Sequence, residues 1–336
     1  MGAKGLRLVA ELSLGEILRF PQNDKNRKAG MTEVKGDLQE IEVKIDLHIH
    51  TRTGSDGALT IDEVFREAGN RNINLISITD HDSVACQGEA IALARKQGMS
   101  YITGVELNVT FHYPEGHKDV SLDFLGYGYD VSNQELKSKL QLIKEYRKKR
   151  ARQILQNLNV EFDKEGIERF TSEDLKRIED SVDGVFGRPH IANYLVEKEI
   201  VKDTREAFDR YLVKCDVPKY PLSLAQASQL IRNPGGVLVH AHPGDPKGTS
   251  LASITHDLEK QTEVIERYML QYIDGVECWH TGHDQETTAH YIEFGRKHGM
   301  IMTGGSDCHQ KPLLMGTLDI PDWIAGQPGL IRLSRS

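Results

Sequence analysis

The chain has 336 residues, of which 38% are hydrophobic and 27% charged, with 30 glycines and a formal net charge of −8. This composition is typical of a globular protein with one large domain and an insertion, or with two domains, and it excludes disordered and fibrous classes. The negative charge provides no overall attraction for nucleic acid or for anionic membranes. We therefore expect any anionic ligand to need a local cationic site, and we expect no stable nucleic-acid complex.

The cysteines and the N-terminal segment give information about the cellular compartment of the protein. Four cysteines occur without CxxC spacing, which argues against a zinc ribbon or a disulfide framework: Cys86, Cys215, Cys278 and Cys308. The first apolar residues are interrupted by Lys, Arg and Glu, unlike a signal peptide, and no apolar run reaches the roughly 18 residues of a membrane span. We predict a cytoplasmic protein without membrane contact.

Strands and helices alternate after an N-terminal extension, which we assign to residues 1–40 because they show no clear period. A β-branched run at 41–47 predicts a strand, and Thr60 and Glu63 stand at capping-box spacing at the start of a helix. A buried strand at 73–80 and a helix over about 83–97, which Gly98 can terminate, follow. Strand-like segments continue through 100–111 and 120–130, so the pattern favours parallel α/β architecture.

From about residue 132 to residue 233 the pattern changes to consecutive helices. Alternation then resumes with strands ending near 242, 280 and 305, separated by helices over about 252–271 and 285–298. We therefore predict an α/β domain made of residues 41–131 and 236–336, interrupted by a helical insertion at 132–235.

Polar residues recur at the carboxyl end of each predicted strand, and such ends converge on one face of a parallel sheet or barrel, where ligands bind. In "HIH", His48 and His50 are two residues apart on a strand, so their side chains point to the same side and both rings can reach one ion. An HxH pair alone is more often a loop pair, but its repetition at five other strand ends favours a metal centre. The metal-capable residues are His48, His50, Asp80, His81, Glu106, Asp123, His240, His242, Asp307 and His309.

The side chains of this set are imidazoles and carboxylates without a thiolate partner, which suits Zn²⁺, Mn²⁺ or Fe²⁺ and argues against a closed structural zinc site. Clustered carboxylates would repel one another in a partly dry pocket, and divalent cations would neutralise them. We expect several ions. Neighbouring ions could share a bridging hydroxide that attacks at neutral pH.

Six motifs in this order, "DLHIHT", "SDG", "ITDHDS", "GVE", "AHPG" and "GGSDCH", lie within residues 41–316 and resemble the polymerase and histidinol phosphatase (PHP) superfamily of metal-dependent phosphoesterases. The resemblance implies a distorted (β/α)₇ TIM-like barrel with two or three divalent metal ions at the carboxyl ends of its strands. It implies that the first metal is held by His48, His50, Glu106 and Asp307, with Glu106 bridging to a second metal held by His242.

The same resemblance implies that Asp56, His81 and His309 hold a third metal. The chain departs from the family pattern at "LDFLGYG", where members often have His and this sequence has Asp123. We expect Asp123 to be a ligand as well, because a carboxylate can take the place of an imidazole.

The segment at 187–212, "GRPHIANYLVEKEIVKDTREAFDRYL", resembles a branch of the family. That branch includes the phosphatase acting on nucleoside 3′,5′-bisphosphates and exonuclease-like relatives acting on RNA 5′ ends. It implies that the insertion caps the barrel and that Arg188 and His190 bind substrate phosphate. Arginine suits this role because its planar fork binds phosphate through two hydrogen bonds.

Several other residues allow two interpretations. His240 is a core histidine or a residue supporting His242. Of the two histidines after the strand "DGVEC", His280 and His283, the second contacts a phosphate or donates a proton to the leaving group, or lies in a surface loop.

Three further features have an ordinary interpretation that we prefer. His112 and His117 could supply a ligand near Glu106, but exposed hairpin residues are the better interpretation. The basic run at 146–152 could attract a polyanion, but such a run is usually a solvated helix face. Cys308 within the metal loop is interpreted as a small buried neighbour rather than a nucleophile.

Together these features predict a phosphoric ester hydrolase that uses a metal-bridging hydroxide on a phosphate monoester, with Asp307, His283 and Arg188 as catalytic residues. Arg188, His190 and His283 would bind the substrate, a nucleoside 3′,5′-bisphosphate or a short 5′-phosphorylated RNA. The alternatives are hydrolysis of histidinol phosphate or of a cyclic phosphate, and a non-catalytic metal-binding module.

Overall fold

The structure, a computed structural model, describes residues 43–181 and 186–333. The N-terminal extension predicted at 1–40 lies outside the described residues. The described chain is a mixed α/β structure with one sheet of three strands and one of five, and its strands do not form one continuous closed barrel. No helix in this part of the chain is long and apolar enough to cross a membrane.

The smaller sheet is parallel and has the strand order β1, β2, β3. Its strands are connected by two helices, as the alternation predicted. The elements in chain order are β1 (Lys44–Ile49), α1 (Ile61–Asn70), β2 (Ile73–Ile78), α2 (Gln87–Gln97) and β3 (Ser100–Tyr101).

Local signals set the helix ends in this part of the chain. The capping box at α1 is confirmed, since the Thr60 backbone N–H donates to Glu63 Oε2 over 2.9 Å and Thr60 Oγ1 accepts from the Glu63 N–H. Helix α2 ends at Gly98, whose φ of 67° is the left-handed conformation that glycine adopts without strain. It begins at Gln87 rather than near residue 83, because Asp82 has φ 48° and its N–H pairs with the Glu106 carbonyl.

The larger sheet has the strand order β4, β5, β6, β7, β8. Our expectation of parallel strands throughout was wrong for β4 and β5, which form an antiparallel hairpin, and β5 also pairs antiparallel with β6. Only residues 114–117 connect β4 to β5, which is far too short for a parallel crossover. The strands are β4 (Gly104–Tyr113), β5 (Lys118–Tyr127), β6 (Val237–His240), β7 (Gly275–His280) and β8 (Ile301–Gly305).

The two sheets approach each other on both sides. Isolated parallel bridges join Ile49 to Cys308 and His81 to Glu106. On the β8 side, an added Cβ at Gly305 would lie 2.3 Å from the His48 backbone nitrogen, so only glycine permits this close approach. The carboxyl ends of β1, β2 and β8 therefore meet beside the first residues of β4.

Helices of the second half cover the larger sheet. α8 (Leu258–Tyr268) lies between β6 and β7 in the chain, and it is shorter than the segment 252–271 predicted from sequence. A separate 3₁₀ turn at Leu251–Ser253 precedes it. α9 (Gln285–Lys297) agrees closely with the predicted helix, and α10 (Pro328–Leu333) ends the described chain.

Across 132–233 the described residues form helices and no strand, as predicted. They are α3 (Gln134–Glu165), α4 (Ser172–Asp180), α5 (Arg188–Glu197), α6 (Thr204–Ala207), which continues into a π-helical turn at Phe208–Leu212, and α7 (Leu224–Arg232).

The helical segment has a hydrophobic core of its own, formed by residues within 151–215. Its two ends instead pack on the main core, through Leu136 and Leu140 of α3 and through Leu224 and Ile231 of α7. The domain boundaries stay a prediction, and this packing favours a cap limited to about 151–215 rather than 132–235. We call residues 151–215 the cap below.

Candidate metal centre

Four side chains from three strand ends form what we call the first group: His48, His50, Glu106 and Asp307. The Nε2 atom of His48 lies 3.5 Å from Glu106 Oε2 and 3.2 Å from Asp307 Oδ1. The Nε2 atom of His50 lies 3.2 Å and 3.1 Å from the same two oxygens. The structure thus brings together the four residues that the resemblance implied for the first metal.

The second group consists of Glu106, Asp123 and His242. Glu106 uses its other oxygen here, because Oε1 lies 3.1 Å from His242 Nε2. The Asp123 carboxylate accepts hydrogen bonds from Asn108 Nδ2, at 2.5 Å, and from the Thr249 hydroxyl. Glu106 therefore faces two groups with different oxygens, an arrangement that suits a bridging ligand.

The third group consists of His50, Asp56, His81 and His309. Asp56 Oδ1 lies 3.4 Å from His309 Nε2 and 3.9 Å from His81 Nε2. The Nδ1 atom of His81 lies 2.9 Å from Glu106 Oε2. The third group therefore adjoins the first through both His50 and His81.

Asp80 does not belong to these groups, although it also follows a strand. Its two oxygens accept hydrogen bonds from the Thr51 N–H at 2.6 Å, the Thr51 hydroxyl at 2.7 Å and the Ser55 hydroxyl at 2.9 Å. Asp80 thus holds the turn that follows "HIH" and that carries Asp56. Our expectation that it lies among the metal-capable side chains was wrong.

The side chains of the groups fit cations. Buried polar atoms are normally hydrogen-bonded, yet six buried atoms of these groups have no hydrogen-bond partner: His48 Nε2, His50 Nε2, Asp56 Oδ1, Glu106 Oε2, His242 Nδ1 and Asp307 Oδ1. Imidazole nitrogens and carboxylate oxygens with free lone pairs at such distances form a site for divalent metal ions.

The charges of neighbouring residues together outweigh burial in setting the pKa values of Glu106, His81 and His242. Burial opposes the charge of Glu106, but the positive charges of His81 and His48 hold the pKa of its carboxyl well below the ordinary value. Burial likewise opposes the charge of His81 and His242, yet Glu106 raises the pKa of each to about 9. Metal ions that bind here must displace protons from these histidines.

Sequence reasoning did not single out Glu277, on β7. It is fully buried, and its Oε1 lies 3.1 Å from Nδ1 of His48. The signal that could have revealed it is a carboxylate inside the buried strand "GVECWH", since an unpaired charge is rarely buried there.

Two of the ambiguous histidines are now located. The Nδ1 atom of His280 accepts from the Gly282 N–H, and its Nε2 lies 3.4 Å from Asp307 Oδ2, beside the first group. His240 stacks on Phe124 with ring centroids 4.6 Å apart, and burial lowers its pKa to about 3. His240 is therefore a neutral core histidine.

His283 is bound at both ring nitrogens. Nδ1 donates to the Cys278 carbonyl over 3.0 Å, and Nε2 accepts from the Gly244 N–H over 3.2 Å. Burial lowers its pKa to about 4, so the ring is neutral at pH 7. We expected His283 to donate a proton or bind phosphate, and that role stays a prediction, but here backbone groups occupy both ring nitrogens. The ring links the loop after β6 to β7.

Arg188, at the start of α5, lies in the cap. Its Nη1 atom is 2.7 Å from Asp216 Oδ2, and its guanidinium stacks over Phe208 at 5.4 Å. The other oxygen of Asp216 pairs with Arg150 of α3. Arg188 is thus part of a cap network, and among the described residues the structure shows no direct contact between it and the three groups.

His190, two residues after Arg188 on α5, interacts electrostatically with Asp56 of the third group. Its Nδ1 atom accepts from the Gly187 N–H over 3.1 Å. Burial lowers the pKa of the ring, while the charges of Asp56 and Arg147 act on it in opposite directions. The imidazole therefore lies within electrostatic range of both the third group and α3.

The basic run at 146–152 is not a uniformly solvated face. Arg147 pairs with Asp82, and Arg150, with a side chain only 7% exposed, pairs with Asp216. The two arginines are three residues apart and so share one face of α3. The interpretation as a solvated face was wrong for this pair.

The remaining ordinary interpretations agree with the structure. His112 and His117 are exposed at the β4–β5 hairpin, and His112 Nδ1 lies 2.8 Å from Asp119 Oδ1. Cys308 is buried beside β1, and burial raises the pKa of its thiol, which disfavours the thiolate.

Comparisons with known proteins agree with this geometry. The PHP domain family matches residues 46–215. A 3′,5′-nucleoside bisphosphate phosphatase of Chromobacterium violaceum is 32% identical over 273 residues, covering 79% of this chain and 87% of that protein. A 5′-3′ exoribonuclease of Haemophilus influenzae is 32% identical over 207 residues, covering 60% and 69%.

Among solved structures, one described as an amidohydrolase from Chromobacterium violaceum, with bound sulfate and no metal, has a TM-score of 0.67 and 29% identity. The match covers 84% of this chain and 93% of that one. The motif order, the three groups and the family match lead to one conclusion: the chain belongs to the PHP domain family of metal-dependent phosphoric ester hydrolases.

Proposed function

We propose that the chain hydrolyses the phosphate monoester of a nucleoside 3′,5′-bisphosphate or of a short 5′-phosphorylated RNA. The observation that carries this proposal is a recess lined by the cations Arg147, Arg150 and Lys219, which lies beside the adjoining groups of metal-capable side chains. The relatives named as a bisphosphate phosphatase and as exoribonucleases support the same substrate class.

The proposal includes two or three divalent ions, such as Mn²⁺, Zn²⁺ or Fe²⁺. The first group would hold one ion, and His242 and Asp123 would hold a second, with Glu106 as a ligand of both. The third group would hold another ion. When bound, such ions lower the pKa of a water molecule and stabilise negative charge on phosphoryl oxygens. His48, His50 and Asp307 would fix the position of that centre because they lie on rigid strand ends.

Cations of α3, of the cap and of the segment between the cap and α7 would bind the phosphates. Arg147, Arg150 and Lys219 line one recess together with Asp82 and Asn108, and Asn108 donates to Asp123 of the second group. Burial lowers the pKa of Lys219, which the Asp123 carboxylate opposes, so the ammonium lies near the second group. The cations that line the recess outnumber its carboxylates. We propose that Arg188 and Lys219 offset the charge of a substrate with two phosphates and that the His190 ring donates a hydrogen bond to a phosphate oxygen.

The proposed architecture is the distorted (β/α)₇ barrel implied by the family. The bridges from Ile49 to Cys308 and from His81 to Glu106 support it, because they link the two sheets on both sides.

The four cysteines are buried and free, which supports a reducing compartment as part of the same proposal. The non-catalytic alternative loses its basis, because relatives that cover most of the chain are named as enzymes.

A substrate panel tests the proposal. The enzyme with added Mn²⁺ is assayed on a nucleoside 3′,5′-bisphosphate, histidinol phosphate, a cyclic phosphate and a 5′-phosphorylated oligoribonucleotide. We expect kcat/KM to be highest for the bisphosphate or the oligoribonucleotide. A preference for histidinol phosphate or the cyclic phosphate would overturn the substrate assignment, and no turnover with metal bound would overturn the activity.

Substitution of Lys219 tests the role of the recess. Lys219→Met should raise KM for the bisphosphate about 10-fold or more, because a charge-assisted hydrogen bond contributes about 1.5–3 kcal/mol. The matched control is Lys148→Met on the outer side of α3, where the side chain is 43% exposed. An equal effect of both variants would contradict the proposed role.

A further inference from the structure

We propose that Glu277 is a positioning residue that orients ligands of two groups at once, the His48 ring of the first and the His242 backbone of the second. The inference rests on the proposed metal sites. It concerns a strand, β7, that supplies no residue to the ligand set implied by the family resemblance.

The first contact fixes the tautomer of His48. Both Glu277 oxygens lie close to His48 Nδ1, at 3.1 Å and 3.3 Å, and none of the three side-chain atoms is exposed to solvent. An ionised carboxylate can only accept, so Nδ1 must carry the proton. The lone pair is then on Nε2, the atom that lies among the carboxylates of the first group.

The second contact holds a strained backbone. Glu277 Oε2 accepts from the His242 N–H over 2.8 Å. The φ of His242 is 27°, a conformation that residues other than glycine rarely adopt. This hydrogen bond stabilises the turn that places His242 Nε2 3.1 Å from Glu106 Oε1.

A bulge in β7 makes the arrangement possible. Residues three apart on a regular strand point to opposite faces. In β7 the pairing with β8 shifts between Glu277, opposite Thr303, and Trp279, opposite Gly304. The extra residue lets His280 approach Asp307 Oδ2, at 3.4 Å, from the same side as Glu277 approaches His48.

Glu277 could instead be a metal ligand, since its carboxylate also groups with His48 and His280. Two observations favour positioning. Its oxygens already accept from His48 and from the His242 N–H, and the only His48 nitrogen facing it is Nδ1, which a shared metal would require to be unprotonated.

Metal titration of Glu277→Gln distinguishes the two roles. An amide of the same size cannot accept from both donors without presenting an N–H₂ to one of them. We expect affinity for Mn²⁺ and Zn²⁺, measured by competition with a chelator, to fall about 10- to 100-fold, with the wild-type number of ions still bound at saturation. Unchanged affinity would overturn the proposal, and one ion fewer at saturation would assign Glu277 as a ligand.

The control is Cys278→Ala, a fully buried neighbour on the same strand, which should keep wild-type affinity. Circular dichroism verifies that both variants are folded. Wild-type protein provides a second test if Glu277→Gln does not fold: ¹⁵N shifts of the His48 ring, assigned with His48→Gln, should show a proton on Nδ1 in the zinc-loaded protein. A proton on Nε2 would contradict the proposal.

These readouts separate two kinds of failure. If the wild-type protein binds metal but hydrolyses no phosphate ester, the proposed function fails and the affinity comparison still decides the role of Glu277. If hydrolysis is found and Glu277→Gln binds metal normally, the proposed function stands and the positioning role fails.

Discussion

The guanidinium of Arg147 pairs with the carboxylate of Asp82, the residue that follows His81 of the third group. Arg147 Nε lies 3.0 Å from Asp82 Oδ2, and the other Asp82 oxygen accepts from the Asn108 N–H over 3.3 Å. Helix α3 is thereby attached to the loop after β2 and to β4. The position of the cap and the geometry of the third group are coupled through this pair.

Breaking the pair should destabilise the protein. Arg147→Met leaves Asp82, only 4% exposed, without its partner, and we expect the free energy of unfolding in urea to fall by about 3 kcal/mol. Adding Asp82→Asn should recover part of that loss, because the buried charge is then gone. Purely additive losses in the double variant would contradict the coupling, and Lys148→Met serves as the exposed control.

Metal removal should abolish activity. We expect chelation to reduce hydrolysis to background and added divalent ions to restore it, since buried atoms of the first group that lack a hydrogen-bond partner are suited to bind such ions. Asp307→Asn should lower the bound metal, measured by elemental analysis, by one ion per chain. Glu115→Gln in the exposed hairpin should leave the metal content unchanged, and a chelator-resistant activity would contradict the prediction.

Asp123 tests whether a carboxylate replaces the family histidine. Asp123→Asn keeps the hydrogen-bonding shape toward Asn108 and Thr249 but removes the charge, so we expect one ion to bind at least 10-fold more weakly. Asp123→His should retain that ion, because imidazole is also a ligand. Equal metal affinity in the wild type and in Asp123→Asn would show that Asp123 only supports the loop that contains Thr249.

The neutral His283 should make stability depend on pH. Its pKa is about 4 in the folded chain, against about 6.5 in an unfolded chain, so the unfolded state binds more protons between these values. Stability then falls as pH falls through this window, by roughly 2 kcal/mol from pH 7 to pH 5 for this group.

His283→Gln should remove that part of the pH dependence in urea denaturation of the metal-free protein, because glutamine does not titrate. The exposed His112→Gln variant should keep the wild-type slope. The same slope in His283→Gln as in the wild type would contradict the assignment.

Local rules of the chain were enough to identify much of the site. The two histidines of "HIH" share a face because strand side chains alternate with period two, and Asp307 and Glu106 follow or begin buried strands. The capping box at Thr60 and the helix end at Gly98 were equally local. Family membership followed from the order of the motifs, and the comparisons confirmed it.

Other features depended on contacts between distant segments. The sequence shows that Arg147 and Arg150 lie on one face of a helix, but only packing against Asp82 and Asp216 shows that this face is turned inward. From sequence, His283 is a candidate proton donor. Only the structure shows that the Gly244 N–H and the Cys278 carbonyl contact its two ring nitrogens.

The sequence by itself therefore determined which residues share a face of a strand or helix and which stand near strand ends, because these relations depend on periods of two and 3.6 residues. The tertiary structure decided which carboxylate supports which histidine. Glu277 reaches His48 across 229 residues of chain, and no local pattern encodes such a contact.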